Sequence, residues 1–393
     1  MANRRRGSSI GNFDVAGDTQ GSSISSAIVN NEVREGREIR QRGSPKKPAA
    51  AAAVGKPARK TPKRKTSYRY LAWVLPLIVL AVFNFIYYTQ AVNDPDHWIV
   101  PFMRLSYRVG SSSVYGKGKC DWYFLAYHIV FFTFVREFFM QVVLPPLARA
   151  AGLRTKHKVT RFLEQAYSLL YYGVTGPVGL YIMKYRVPEL WFFNTTAFYE
   201  NFPHREIDIW EKAFYLLQAS FWGQQAIVLM LHLEKRRKDF EELVFHHVVT
   251  VALIWLSYRF HFTHIGLAVY ITMDVSDFFL ALSKLLNYLE SGAVVFFFFL
   301  FVLAWIYLRH WLNLVILWSV ATEFRTVGPW ELNWETQQYK CYISQPITFG
   351  LLFLLQLVNL YWLALVLRIG YRYVKHNVKE DVRSEDEGEE VDE

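Results

Sequence analysis

A chain of 393 residues that is 52% hydrophobic and 17% aromatic, yet carries a formal net charge of +10, does not read as a soluble basic domain. The combination points to an all-α polytopic membrane protein with charged ends. It argues against the water-soluble enzyme classes and against a nucleic-acid-binding module.

Residues 1–66 hold Arg4, Arg5, Arg6, Lys46, Lys47 and the cluster Lys56, Arg59, Lys60, Lys63, Arg64 and Lys65, among Gly, Ser, Pro and Ala. Such a segment cannot bury enough apolar surface to fold, so a disordered basic cytosolic N-terminus is expected. Beside a hydrophobic span it serves as a topology signal and an anionic-lipid contact rather than a nucleic-acid arm. No cleavable signal peptide is read, because the first apolar run starts only near Leu71.

Runs of about 20 residues with few charges, the length that about 30 Å of hydrocarbon requires, occur eight times. They cover 70–88, 123–143, 162–183, 210–232, 240–258, 264–285, 293–318 and 347–369. The third to sixth are less apolar, with Glu164, Glu211, a His pair and an Asp pair, as expected of helices that line an interior. Residues 67–159 then hold the first two spans and a lumenal loop, and 160–370 form the main domain. The acidic segment 371–393, which includes Ser384 before three acidic residues, is a solvated cytosolic tail.

Charge orients the spans. Lys and Arg concentrate before span one, in 149–161, in 234–239 and after span eight, all on one side if there are eight spans. By the positive-inside rule that side is cytosolic, with both termini on it. The loops 89–122, 184–209, 259–263 and 319–346 are then lumenal. Asn194-Thr195-Thr196, a glycosylation acceptor, lies in one of them. The chain's cysteines, Cys120 and Cys341, also fall on the lumenal side, each a few residues before a span. A Cys120–Cys341 disulfide in an oxidising compartment and two free thiols are the alternatives.

Two adjacent histidines, His246 and His247, lie in span five, and two carboxylates at i,i+3, Asp274 and Asp277, lie in span six. Ionisable groups within the membrane are costly and mark functional sites. At 1.5 Å per residue both pairs lie about 11–15 Å from the cytosolic end of their spans, so they share a depth. Adjacent helical residues point about 100° apart. The His246 face continues through Asp239, Glu242, Thr250 and Ser257, which favours His246 as the cavity-facing member and His247 as its flank. Arg309 interrupts span seven and needs a partner, for which Asp274 is nearest in depth. A di-iron oxygenase would need several His-rich boxes, and no H-x-x-H-H set occurs, so no metal is expected. A Walker loop, a G-x-S-x-G elbow and an intramembrane catalytic cysteine are also missing.

The stretch from Arg237-Lys238-Asp239-Phe240 through His246-His247 and Asp274-Val275-Ser276-Asp277 to Lys284-Leu285-Leu286-Asn287-Tyr288 closely resembles the Lag motif of ceramide synthases, at about 237–288 within a TLC domain. Phe260-His261-Phe262-Thr263 and Met273-Asp274-Val275-Ser276-Asp277 are similar to the fungal branch; animal members more often carry Asn where His261 stands. The resemblance implies an endoplasmic-reticulum enzyme that joins an acyl group from acyl-CoA to the 2-amino group of a sphingoid base. Acyl-CoA is then a co-substrate, and no cofactor is expected. It further implies that six helices, spans two to seven, form a barrel around the site. A small single-pass regulatory subunit and a homodimer are the partners it implies. His246 would act as general base or as an acyl-carrying nucleophile, with a carboxylate behind the imidazole. CoA would stay on the cytosolic face, where Lys235, Arg236, Arg237 and Lys238 could meet its phosphates, although the same charges serve equally as a positive-inside anchor. The alternative is a non-catalytic TLC-domain protein that binds, senses or helps to translocate its cargo.

Overall fold

The computed structural model describes residues 67–230 and 240–376. Among them are eight long helical rods: α1 (Ser67–Ile86), α2 (Asp121–Ala150), α3 (Lys156–Tyr185), α4 (Ile209–Met230), α5 (Phe240–Arg259), α6 (Thr263–Tyr288), α7 (Val294–Thr326) and α8 (Ser344–His376). Strand is limited to a two-residue pair, β1 (Val114–Tyr115) and β2 (Ile207–Asp208), in the loops. The chain is therefore an all-α polytopic membrane protein. Six rods are long and apolar enough to cross a membrane: α1, α2, α5, α6, α7 and α8. The other two, α3 and α4, are more polar, and they bury that polarity. Glu164, Gln165, Gln218, Gln224 and Gln225 are all turned inward.

Burial identifies the axis of the fold. Only 11% of the apolar stretch of α1 is covered, against 67% of that of α6. The α3–α6 seam is made close by small residues, since Gly173, Gly176 and Gly179 face Phe278, Val275 and Ile271. A Cβ on Gly179 would meet the Ile271 side chain at 2.8 Å, so that position admits no side chain unless Ile271 is displaced.

The eighth helix, outside the six-helix barrel that the resemblance implies, packs between α5 and α7. Its Leu355 joins Val249 of α5 and Met273 of α6 in one apolar cluster. Gln356 accepts from Asn313 Nδ2 at 2.6 Å and donates to His310 Nδ1 at 2.7 Å on α7.

At the opposite end from the α6–α7 turn, the loops form a cap held by a buried ion pair. Lys212 Nζ at the start of α4 lies 2.8 Å from Asp121 Oδ1. The same amine donates to the carbonyls of Ser106 and Gly116 at 2.8 and 2.7 Å. Asp121 Oδ2 accepts from Gly118 N and from the Tyr258 hydroxyl. One charge pair thus ties the 104–120 loop to α2, α4 and α5.

Both cysteines are free thiols, so the Cys120–Cys341 bridge is not formed. Their sites belong to different parts of the cap. Cys120 stands at the start of α2, its N–H bonded to the Tyr107 hydroxyl. Cys341 is buried before α8, where its N–H meets Ser344 Oγ at 3.0 Å. Similar height in the sequence does not imply neighbouring positions around the bundle.

Removing one member of a buried ion pair strands the other. Lys212→Met should lower stability by about 3–5 kcal/mol, read as a large fall in Tm in detergent. An unchanged Tm would show that the pair does not hold the cap.

Candidate active site

The segment Met273-Asp274-Val275-Ser276-Asp277 on α6 divides its polar groups between two partners. Asp277 Oδ1 lies 2.5 Å from Arg309 Nη2. Ser276 Oγ accepts from Arg309 Nε at 2.6 Å, and the Met273 carbonyl accepts from Nη2 at 3.3 Å. Asn359 Oδ1 on α8 takes Nη1 at 3.4 Å, while the guanidinium lies over the Trp305 ring at 4.1 Å. Asp274 is instead held by the Gln218 side-chain amide from α4. Arg309 therefore pairs with Asp277 and not with Asp274, the carboxylate nearest to it in sequence depth. The two carboxylates are less than one turn apart, and Arg309 sits in a π-helical segment, Ile306–Leu312, whose wider turn resets its direction.

His246 and His247, both buried, project from α5 at nearly right angles, with an interplanar angle of 89°. His247 Nδ1 donates to the Leu243 carbonyl at 2.9 Å, which leaves its Nε2 with the lone pair in the neutral ring. His246 Nε2 is 3.4 Å from Thr250 Oγ1, and its Nδ1 has no hydrogen-bond partner among the described residues. The His246 ring meets Trp362 of α8 edge-on at 4.9 Å and Trp222 of α4 at 6.0 Å. The carboxylate expected behind the imidazole is not there, because Asp277 is engaged by Arg309 and Asp274 by Gln218.

His246, Asp277 and Arg309 line one end of an elongated, partly open cavity. His247 is not among its lining residues. Beyond the polar end the wall is largely apolar, built from α5, α6 and the start of α8. Leu332, Trp334, Tyr339, Cys341 and Ile343, from the loop between α7 and α8, line the far end. The shape suits a long alkyl chain with a reactive head at His246.

Sequence reasoning missed Gln218, Trp222, Asn359 and Trp362. An intramembrane Gln or Asn that must find a polar partner was the available signal. Asn194 is exposed, with its side-chain amide donating to the Glu189 carbonyl. Lys235, Arg236, Arg237 and Lys238 lie outside the described residues, as do 1–66, Asp239 and Ser384.

Residues 161–368 match the TLC domain family. The chain is 46% identical to the ceramide synthase LAG1 of Saccharomyces cerevisiae (strain S288c), with 98% of this chain and 93% of that protein covered. It is 50% identical to the sphingosine N-acyltransferase lac1 of Schizosaccharomyces pombe, over 81% of this chain and 82% of the other. The chain belongs to the fungal ceramide synthases of the TLC-domain family. The sphingosine N-acyltransferase-like protein FUM17 of Gibberella moniliformis is also similar, at 47% identity over 82% of this chain and 84% of that protein.

In this family member the loop that closes the far end of the cavity hangs on a histidine. His261 Nε2 donates to Gln337 Oε1 at 3.0 Å, and its ring stacks on Tyr339 at 5.7 Å. Burial, with help from the Lys117 charge, pushes the His261 pKa down to about 3. His204 nearby is likewise lowered to about 3, by burial and then by His264. The unfolded value is about 6.5, so below that pH the open loop binds more protons than the closed one. The neutral-ring stabilisation is complete above about pH 6.5 and is lost as pH falls toward 3. Hydrogen exchange over 327–343 should therefore speed up between pH 7 and 5 after correction for intrinsic rates, and His261→Gln should blunt the change. Equal protection at both pH values would count against this role for His261.

Proposed function

We propose that the protein carries out acyl-CoA-dependent N-acylation of a sphingoid base, dihydrosphingosine or phytosphingosine, to give ceramide. The observation that carries the reading is a buried imidazole, His246, at the polar end of an apolar cavity, in a chain of this family. The names of the similar proteins, ceramide synthase and sphingosine N-acyltransferase, support the same reaction.

The chemistry needs a group that accepts a proton from the amine as the amide bond forms and delivers it to the departing CoA sulfur. An imidazole does both near neutral pH. Two routes use the same atoms. In one, His246 removes the amine proton while the amine attacks the thioester. In the other, His246 attacks first, the C–S bond breaks and the ring N–H proton leaves with CoA, and the amine then takes the acyl group and returns its proton to the imidazole. In either route the Arg309–Asp277 pair acts as a fixed wall beside the reacting atoms. His247 backs His246, and Asp274 fixes Gln218. CoA is held from the cytosolic side, with Lys235, Arg236, Arg237 and Lys238 as contacts for its phosphates.

His246→Ala should lower ceramide formation by at least about 100-fold, the lower bound for losing a positioned acid–base group, with expression and Tm kept. Mixing the enzyme with acyl-CoA alone separates the routes, since only the acyl-imidazole route gives CoA release and an acyl mass increment on the α5 peptide. Normal turnover by a folded His246→Ala protein would remove that residue from the mechanism. A wild-type protein that binds lipid but makes no ceramide would favour the non-catalytic alternative.

The reading extends to an endoplasmic-reticulum protein with eight spans, both termini cytosolic and Asn194 in the lumen, working with a small single-pass subunit and able to dimerise. The exposed Asn194 side chain supports glycosylation there. Asn194→Gln should abolish an endoglycosidase-sensitive gel shift. A mobility that neither the enzyme nor the substitution alters would show that the acceptor is unused.

A further inference from the structure

The stripe of α6 that lines the cavity runs Gly266, Tyr270, Met273, Asp277. Tyr270 is 5% exposed, and its hydroxyl has no hydrogen-bond partner among the described residues. The neighbouring phenol differs. Tyr215 of α4 engages Ser257 of α5 through its hydroxyl, and both also line the cavity. Tyr215 fits there because Gly266 has no side chain, since a Cβ would lie 2.1 Å from the Tyr215 hydroxyl oxygen. The Tyr270 ring is in turn fixed edge-on by Tyr215 at 5.2 Å and by Phe214 at 6.1 Å. A rigidly held phenol with an unused donor and acceptor is thus built into a mostly apolar wall. A phenylalanine would fill the same space without leaving a polar group unpaired.

The position matches the head of a sphingoid base, so this inference rests on the proposed function. Val249 of α5 packs with Met273 of α6, which sets His246 level with Ser276 on the antiparallel helix, so Tyr270 lies a rise of about 9 Å from it along α6. A 2-amino-1,3-diol with its amine on His246 and a hydroxyl on Tyr270 spans a hydrogen bond, the nitrogen-to-oxygen distance within the head and a second hydrogen bond. At about 3 Å for each step that is about 9 Å. We propose that the Tyr270 hydroxyl hydrogen-bonds the 1- or 3-hydroxyl of the base, which orients the amine toward His246 and selects amino alcohols over plain long-chain amines. Tyr270 is then a specificity-determining, substrate-binding residue.

The test compares wild type and Tyr270→Phe on dihydrosphingosine and on its 1-deoxy and 3-deoxy analogues, with one acyl-CoA. Tyr270→Phe should raise the KM for dihydrosphingosine about tenfold, equivalent to about 1.4 kcal/mol, the scale of one neutral hydrogen bond. It should leave the KM for acyl-CoA unchanged. One of the two deoxy analogues should be insensitive to the substitution, which identifies the hydroxyl bound. An equal loss on all three bases, with or without a fall in Tm, would make Tyr270 a packing residue and overturn the inference. No effect on any of them would do the same. If wild type acylates none of the bases, the proposed function fails and this inference falls with it; if wild type makes ceramide and the discrimination is absent, only this inference fails.

Discussion

A guanidinium buried between helices in an apolar interior is the constraint around which this molecule is organised. Removing such a charge from water costs several kcal/mol unless its hydrogen bonds are replaced. Arg309 finds acceptors on two other helices: Asp277, Ser276 and the Met273 carbonyl on α6, and Asn359 on α8. Satisfying it fixes how α6, α7 and α8 meet. It also requires the π-helical segment in α7, since a regular turn would aim Arg309 elsewhere. The polar floor of the cavity follows from that arrangement, with His246 packed against the same face of α8 through Trp362, one turn from Asn359.

Much of this was legible in the sequence, for physical reasons that differ by element. The apolar lengths and the charge asymmetry identified the rods, since hydrocarbon tolerates few alternatives to a helix. The polar stripe of α5 was legible as well. Helical periodicity places Thr250 and Ser257 on the His246 face, and all three line the cavity. The partner of Arg309 was not legible. Depth counted from helix ends cannot separate Asp274 from Asp277, and no pattern in 306–312 announces a wide turn. The role of α8 was equally hidden, because Gln356, Asn359 and Trp362 acquire meaning only beside His310, Arg309 and His246.

The turn between α5 and α6 shows how a backbone demand can explain a residue choice. His261 adopts φ +69, the left-handed region, while Phe262 N reaches back to the Ser257 carbonyl at 2.8 Å in a Schellman-type ending. That conformation favours Gly or Asn. A histidine at this position carries a cost in backbone conformation and gains the contacts to Gln337 and Tyr339 that hold the closing loop.

Close approach of helices supplies the remaining logic of the site. The glycines of α3 let α6 sit against it, and that proximity leaves no room for lipid at the centre. Gly266 does the same for Tyr215 on the other side of α6. With both flanks of α6 occupied, its carboxylates are taken up by the helices around it, Asp274 by Gln218 of α4 and Asp277 by Arg309 of α7 and Tyr172 of α3. Each carboxylate therefore has partners of its own, and the free lone pair in the centre is left to an imidazole. Bringing either aspartate to His246 would strand Gln218 or Arg309 in the interior. The division of the aspartates is thus a consequence of packing rather than of the reaction, and the chemistry has to be performed by what that packing leaves exposed to the cavity.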